Sequence, residues 1–382
     1  MALVRQAAAT RIPIAVLGNG SKRHHGPAVR PEAKVLSLRH LAKITSYEPG
    51  DMVVGVQAGV RLADLQRTLG ARGQWLPIDP PYADATMGGI LATAGAGPRR
   101  LGYGTVKDHL LGLRVVGAEG AVTKSGGRVV KNVTGYDLHK LHVGAMGSLG
   151  VMLEAHFKVQ PRPEVSGAVL LACADLETAH RLLLDVWGSP LRPVALEAWS
   201  AGALAALGPA VAAVPAGQAL AVVGIEGSRA AFERHLRELE GFRPRAQTMT
   251  VLRASAAQTL WTAFRDAPER RRDEITVRLG AAPAQLPALL REVACAAVAV
   301  QGASGVARAM LPRAPGPEIA PVVQRWHERA AALGGYAVVE SAPLDLDGRT
   351  ALPWVGPASS LSRALKERWD PGQLLNPGRM AL

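Results

Sequence analysis

Thr86-Met87-Gly88-Gly89-Ile90-Leu91-Ala92-Thr93-Ala94-Gly95-Ala96-Gly97 runs closely into Leu101-Gly102-Tyr103-Gly104-Thr105-Val106-Lys107-Asp108. The stretch is entered through Asp79-Pro80-Pro81. It closes with Gly135-Tyr136-Asp137-Leu138-His139-Lys140-Leu141 and Gly144-Ala145-Met146-Gly147-Ser148-Leu149-Gly150. Glycines this dense among small residues mark backbone that turns at positive φ or lies close against another group. Any one pair also fits an ordinary tight turn. The succession points further, to main-chain N–H groups lined up along a phosphate-bearing ligand.

Upstream, Ile12-Pro13-Ile14-Ala15-Val16-Leu17 reads as a buried strand entering Gly18-Asn19-Gly20-Ser21-Lys22. Two phosphate-loop templates fail here. GxGxxG needs glycine where Arg23 stands, and a Walker loop needs Gly-Lys-Ser/Thr where this chain has Ser21-Lys22. What survives is a strand and a Gly-Asn-Gly turn, with Ser21 and successive N–H groups available to a pyrophosphate.

This succession resembles the flavin-binding domain of the vanillyl-alcohol oxidase and p-cresol methylhydroxylase superfamily, and within it the E subunits of bacterial glycolate oxidases. The similarity takes in Gly18 to Lys22, the glycine block and the closing Trp369-Asp370-Pro371-Gly372-Gln373-Leu374-Leu375-Asn376-Pro377-Gly378-Arg379. Lys131-Asn132-Val133-Thr134-Gly135-Tyr136-Asp137-Leu138 is its most specific piece. The resemblance implies FAD held without a Rossmann fold. It implies cofactor contacts at Gly18, Asn19, Gly20, Ser21, Lys22, Pro80, Thr86, Gly88 and Gly89, continued by Tyr103, Gly104 and Asp108. Gly147, Gly150, Val151 and Asn376 complete the implied set; Asn-Pro-Gly at 376–378 is also simply a good turn. Covalent members carry histidine after the glycines, where this chain has Ser21, so the FAD is expected to be non-covalent. His24 and His25 read as surface residues. Lys131 and Lys140 read equally as solvated lysines or as groups near a phosphate or flavin.

Composition narrows the class. The 382 residues suffice for two or three domains, and 48% hydrophobic with 20% charged residues is ordinary for a globular chain. No apolar run reaches a membrane-spanning length, so no transmembrane segment is expected, and residues 1–10 do not read as a secretory leader. Two cysteines, Cys173 and Cys295, without a CxxC pair argue against disulfides, zinc or an iron–sulfur cluster on this chain and for a reducing, cytoplasmic setting. The net charge of +13 raises nucleic acid as a partner. The basic residues are scattered, with Arg99-Arg100 an isolated pair and Arg270-Arg271-Arg272 the one arginine triple. Aromatics are only 4%, so no stacking platform is interleaved and no nucleic acid is expected. The excess charge suits docking to an acidic partner subunit, through which the chain could sit peripherally at an inner membrane.

The fold class expected is α+β. Asp51 to Gly59 alternates as a strand, Arg61 to Leu69 has helical spacing, and Leu113 to Thr123 reads as a hairpin about Glu119-Gly120. The pattern changes at Gln160-Pro161-Arg162-Pro163, giving a p-cresol-methylhydroxylase-type FAD-binding domain over 1–162 and a cap over 163–345. A C-terminal tail, 346–382, returns by resemblance to the first domain and brings a helix at Ser360–Arg368. The cap reads twice as β-α-β-β-α-β. The first round has strands near 165–172, 194–199, 220–226 and 247–252 with helices near 176–187 and 229–239. The second has strands near 274–279, 296–301, 306–311 and 337–340 with helices near 286–293 and 319–332. Two ferredoxin-like halves sharing one antiparallel sheet follow.

Oxidising a small 2-hydroxy acid needs a cation for its carboxylate, a base for the hydroxyl proton and a placed flavin. Related D-2-hydroxy-acid dehydrogenases carry a metal-binding His-x-Gly-Asp-Gly-Asn-x-His segment and a later Gly-Glu-His-Gly segment in the cap. The corresponding places here are Gln301-Gly302-Ala303-Ser304-Gly305-Val306-Ala307-Arg308 and Val338-Val339-Glu340-Ser341-Ala342-Pro343, so no metal is expected. His180, His235 and His327 read as surface residues on helices. Arg308 is the one catalytic candidate, against an ordinary solvated arginine. Three readings stay open. The chain is the FAD subunit of a multi-subunit glycolate dehydrogenase, supporting a sister flavin subunit and an iron–sulfur subunit; or a self-sufficient metal-free dehydrogenase; or a scaffold with an empty flavin fold.

Overall fold

A computed structural model describes residues 1–128, 135–293, 295, 297–354 and 360–380. The Lys131-Asn132-Val133-Thr134 segment lies outside the described residues. The chain divides into two compact units: Met1–Ala96, Gly104–Arg162 and Pro357–Leu382 form one, Gly97–Tyr103 and Pro163–Gly356 the other.

The first unit opens with a parallel pair, β1 (Ile14–Leu17) and β2 (Lys34–Ser37). Its main sheet uses β3 (Ile44–Glu48), β4 (Val53–Gln57), β6 (Leu110–Val116), β7 (Val122–Gly126) and β8 (Val151–Lys158) in the antiparallel order β3-β4-β8-β6-β7, while β5 (Gln74–Trp75) pairs with β9 (Gln160–Pro161). Val54, Val56, Leu113 and Phe157 fill its core, and helix Leu62–Gly70 adds Leu65 and Leu69 one turn apart on a single face. Of the expected tail, Pro357–Leu382 belongs to this unit, whereas 346–356 fall in the second. Ile14 N–H donates to the Leu374 carbonyl and Asn376 N–H to that of Ile14, at 2.7 and 2.8 Å. Helix Ser360–Trp369 leads into this lacing. Helix Ala2–Thr10, absent from the sequence reading, buries Val4 and Ala7 with Ile14, Val116 and Leu375.

The second unit holds β10 (Val165–Cys173), β11 (Ala195–Trp199), β12 (Ala219–Gly227), β13 (Thr248–Arg253), β14 (Ile275–Gly280), β15 (Ala297–Gln301), β16 (Val306–Leu311) and β17 (Tyr336–Ser341). Their order, β13-β10-β12-β11-β15-β16-β14-β17, is one antiparallel sheet. Each half reads 4-1-3-2 from its outer edge, the ferredoxin-like order, and the halves join through their second strands, β11 and β15. Helices Leu176–Gly188, Arg229–Leu239, Leu286–Glu292 and Gly316–Ala332 cover one face with Leu182, Phe232, Leu289 and Trp326. A further helix, Ala254–Arg270, packs Leu260, Trp261 and Phe264 on the opposite face of the first half. On that same opposite face, alternation along the second half's strands brings up charged side chains instead.

Candidate functional site

β1 ends in the Gly18-Asn19-Gly20 turn, where Gly20 takes φ +74°. Among the described residues, no group accepts from the N–H of Gly18, Asn19 or Gly20. Successive donors left open in this way on a half-buried turn are the kind of group that can bind an anion. The turn is held from outside, since the Asn19 side-chain amide donates to the Asp84 carbonyl at 2.8 Å. A methyl on Gly18 would stand 2.2 Å from the Thr86 hydroxyl, so only glycine fits that place.

Beside the turn, Lys22 is buried at 8% exposure, its Nζ donating to Thr93 Oγ1 at 2.8 Å. Thr93 in turn donates to the Gly89 carbonyl. A Cβ on Gly95 would strike that ammonium and crowd Pro80, which ties the glycine block to Lys22. Tyr82, held at φ +75° and buried, lies 6.0 Å below the ammonium. Positive φ is costly for a bulky residue and persists only where its surroundings fix it. Here two histidines fix it: His24 Nε2 and His25 Nε2 lie 2.8 and 2.9 Å from the Tyr82 hydroxyl. The surface reading of these histidines is therefore corrected; His24 is 4% exposed.

Thr86 to Gly89 is no turn. Thr86 caps helix Met87–Thr93, its hydroxyl accepting from Gly89 N–H. Met87 and Gly88 donate to the Val60 and Ala58 carbonyls, both at 2.8 Å, so those two donors are spent inside the protein. A Cβ on Gly88 would press on Ala58 at 2.9 Å. The glycine thus serves a close helix-to-strand approach.

The other expected residues sort by place. Gly104 takes φ +83° against Asp108, whose carboxylate accepts from the Thr105 N–H and hydroxyl at 2.7 and 2.8 Å. Burial would raise Asp108, but these two bonds outweigh it and hold it below the usual carboxylate range. Gly150 lies against Val115, and Val151 is buried among Val4, Val116 and Leu375, so their close packing is to the protein's own interior. Gly147, at φ +69°, leaves room for Asn376, whose amide donates to the Met146 carbonyl and accepts from Val16 N–H at 2.8 and 2.7 Å. Asn376 is a staple between β1 and the Met146-Gly147 turn. Ser21 is half-buried at the end of the same turn as Gly20.

Tyr103 lies in the second unit. Its hydroxyl donates to Glu226 at 2.9 Å, and burial, then Glu226, pushes the phenol up. Arg99 forks onto the same carboxylate at 2.7 and 3.0 Å and covers the Trp261 ring. This clamp fixes the 97–103 segment and sets the next residue, Arg100, among the charges of β14, β16 and β17. Arg308 is not a solvated arginine. It pairs with Glu340 at 2.6 and 3.1 Å, an ion pair between the two segments where the resemblance looks for metal ligands. Burial alone would lower the Arg308 guanidinium; Glu340 more than offsets it. The helix histidines are corrected as well. His180 is fully buried with Nε2 3.1 Å from the Gly302 carbonyl, while half-buried His235 and His327 bond to backbone at Ala231 and Ala337.

Residues 1–126 match the family model described as FAD binding domain. The match takes in about a third of the chain. The open donors of Gly18 to Gly20 beside a buried lysine are a set whose chemistry fits a diphosphate. The chain is 39% identical over 165 residues to glycolate oxidase subunit GlcE of Escherichia coli (strain K12), covering 43% of this chain and 47% of that protein. It is 32% identical to glycolate oxidase subunit GlcD of Bacillus subtilis (strain 168), covering 49% and 40%, and 31% to a D-lactate dehydrogenase of Anaerostipes hadrus, covering 51% and 41%. The chain thus spans less than half the length of these relatives. In fold, it matches alkyldihydroxyacetonephosphate synthase with a TM-score of 0.70 at 18% identity, over 98% of this chain and 74% of that one.

The domain also carries an acid-sensitive element. His142 is 8% exposed, its ring 5.2 Å from that of Trp369, and burial pushes it down to about 4 from 6.5. Above pH 6.5 both folded and unfolded forms are neutral and stability is full. Between 6.5 and 4 only the unfolded chain gains the proton, so about 3 kcal/mol is lost as pH falls. Chemical denaturation at pH 7 and pH 4.5 should show this loss, reduced in His142→Gln.

Proposed function

We propose that the chain is the FAD-binding subunit of a multi-subunit 2-hydroxy-acid dehydrogenase that oxidises glycolate to glyoxylate. Its partners on this reading are a sister flavin subunit, which carries the main catalytic burden, and an iron–sulfur subunit that takes the electrons. The observation that carries the reading is the run of open N–H groups at Gly18, Asn19 and Gly20 beside Lys22 in a matched FAD-binding domain. These residues would hold the diphosphate, with Lys22 offsetting its charge and Ser21 extending the turn. Pro80, Gly89, Gly104 and Asp108 lie along the same glycine block and would border the rest of the cofactor. Thr86, Gly88, Gly147, Gly150, Val151 and Asn376 would act through shape, since their side chains or backbones are spent on neighbours. When bound, the flavin supplies an acceptor for the two electrons leaving the hydroxyl-bearing carbon.

The supporting role draws on the likeness to the GlcE subunit and on Arg308–Glu340 standing at the places expected to carry metal ligands. The self-sufficient reading is favoured by one observation, the cluster of arginines around that pair. No helix among the described residues is long and apolar enough to cross a membrane.

Purified chain should be yellow with flavin absorption bands; a colourless protein that takes up no FAD overturns the assignment. Anaerobic glycolate or D-lactate should leave the lone chain's flavin oxidised and bleach it once the sister subunit is added. Bleaching without partners would replace division of labour by the self-sufficient reading.

A further inference from the structure

Residues 18–33, between β1 and β2, belong to no helix or strand. Peptide groups in such a segment must find their partners elsewhere in the chain. The tail supplies several of them. Arg379 follows a turn closed by its own N–H to the Asn376 carbonyl at 3.1 Å, with Asn376 at φ +45° and Gly378 at φ +87°. From there its guanidinium reaches three carbonyls of the segment that leaves the Gly18-Asn19-Gly20 turn. Nη1 donates to the carbonyls of Arg23 and Pro27 at 3.2 and 3.0 Å, and Nη2 to that of Lys22 at 3.3 Å. Beside it, Arg30 N–H donates to the Pro377 carbonyl at 3.1 Å, and Arg30 Nη2 to Gln373 Oε1, also at 3.1 Å.

A trans peptide is planar, so holding its carbonyl fixes the whole unit. Arg379 therefore sets the peptide joining Lys22 to Arg23 and the one joining Arg23 to His24. These two planes place the side chains on either side of them. Lys22 carries the buried ammonium that donates to Thr93, and His24 carries the ring that meets the Tyr82 hydroxyl. The Lys22 ammonium lies 6.0 Å from the centre of that same Tyr82 ring. Bonds from a charged donor are roughly twice as strong as neutral ones, which suits a guanidinium to this task.

We infer that Arg379 is a positioning residue for the cofactor's diphosphate, acting through Lys22 by holding the backbone that presents its ammonium. This rests on the reading above that Gly18 to Lys22 hold FAD.

The test titrates flavin-free full chain with FAD and follows the flavin fluorescence. Arg379→Gln should weaken binding at least about tenfold. Arg30→Gln, which removes the neighbouring bond to the tail and leaves the three carbonyls alone, should bind as the parent does. Arg379→Lys, keeping the charge without the fork, should recover part of the loss. A residue that only stabilised the fold would cost affinity whatever stood at position 22. Acting through Lys22, Arg379→Gln should cost clearly less in a Lys22→Gln background, so the double variant binds more tightly than the two single losses multiplied together. The same cycle with Arg379→Lys settles the question if Arg379→Gln folds poorly. Unchanged affinity in Arg379→Gln, losses that simply multiply, or an equal loss in Arg30→Gln overturns the inference. A parent that takes up no FAD overturns the cofactor reading and this inference with it. A parent that binds FAD no more tightly than Arg379→Gln refutes this inference alone.

Discussion

Asp370→Ala should cost the protein about 3–5 kcal/mol, the largest stability loss expected from one polar substitution, because it strands a buried ammonium. Lys366 and Asp370 are 7% and 0% exposed and sit one helical turn apart at the end of helix Ser360–Trp369. Lys366 Nζ also donates to the Ser148 and Leu375 carbonyls, at 2.8 and 3.2 Å. Asp370 accepts from the N–H of Leu374 and Leu375, each at 2.8 Å. Removing the carboxylate therefore leaves a desolvated cation and two unpaired N–H groups together. Burial already lowers the Lys366 ammonium, with Asp370 pulling the other way. Urea unfolding should show a large fall in midpoint, with Asp370→Asn falling less because one acceptor survives. A midpoint unchanged in Asp370→Ala would mean that water reaches this pair.

The second large effect concerns cofactor retention. Gly18→Val should leave the purified chain nearly free of FAD, because a Cβ there already stands 2.2 Å from the Thr86 hydroxyl and the branches add to it. Relief requires the turn to move, and with it the three open N–H groups. Thr86→Ala is the companion variant. It removes a helix cap, for about 1 kcal/mol of stability, yet leaves the turn its room. Flavin-to-protein absorbance ratios should be near zero for the first and near parental for the second. A yellow Gly18→Val protein would detach the turn from cofactor binding.

Much of the fold could be read from residues, for reasons that differ by region. In the second unit, short apolar strands alternate with amphipathic helices such as Leu176–Gly188, stopped by turn residues, so the repeated β-α-β-β-α-β order emerges from local pattern alone. Helix Ala254–Arg270 escaped because it covers the face such a half usually leaves open, and pattern says nothing of which face is covered. Glycine is a poor helix former, so nothing local in Thr86-Met87-Gly88-Gly89 announces the start of a helix. Carbonyls of Ala58 and Val60, almost thirty residues earlier, override that preference. The candidate site was legible where it is contiguous, at Gly18 to Lys22. Where it depends on partners far along the chain it was not: nothing in His24-His25 announces Tyr82. Nothing in Arg99-Arg100 announces Glu226, Arg278 and Arg308. Long-range register supplies those meetings.

The lacing of Leu374 and Asn376 onto Ile14 and Val16 sets an order of events during synthesis. Residues 163–354, nearly continuous in the chain, can collapse while translation proceeds. The opening strand can pair early with β2, but its Leu374 and Asn376 partners arrive only when residue 376 leaves the ribosome. A nascent chain therefore carries an unfinished first unit while the second is already whole, and on the proposed function cofactor capture waits for the tail.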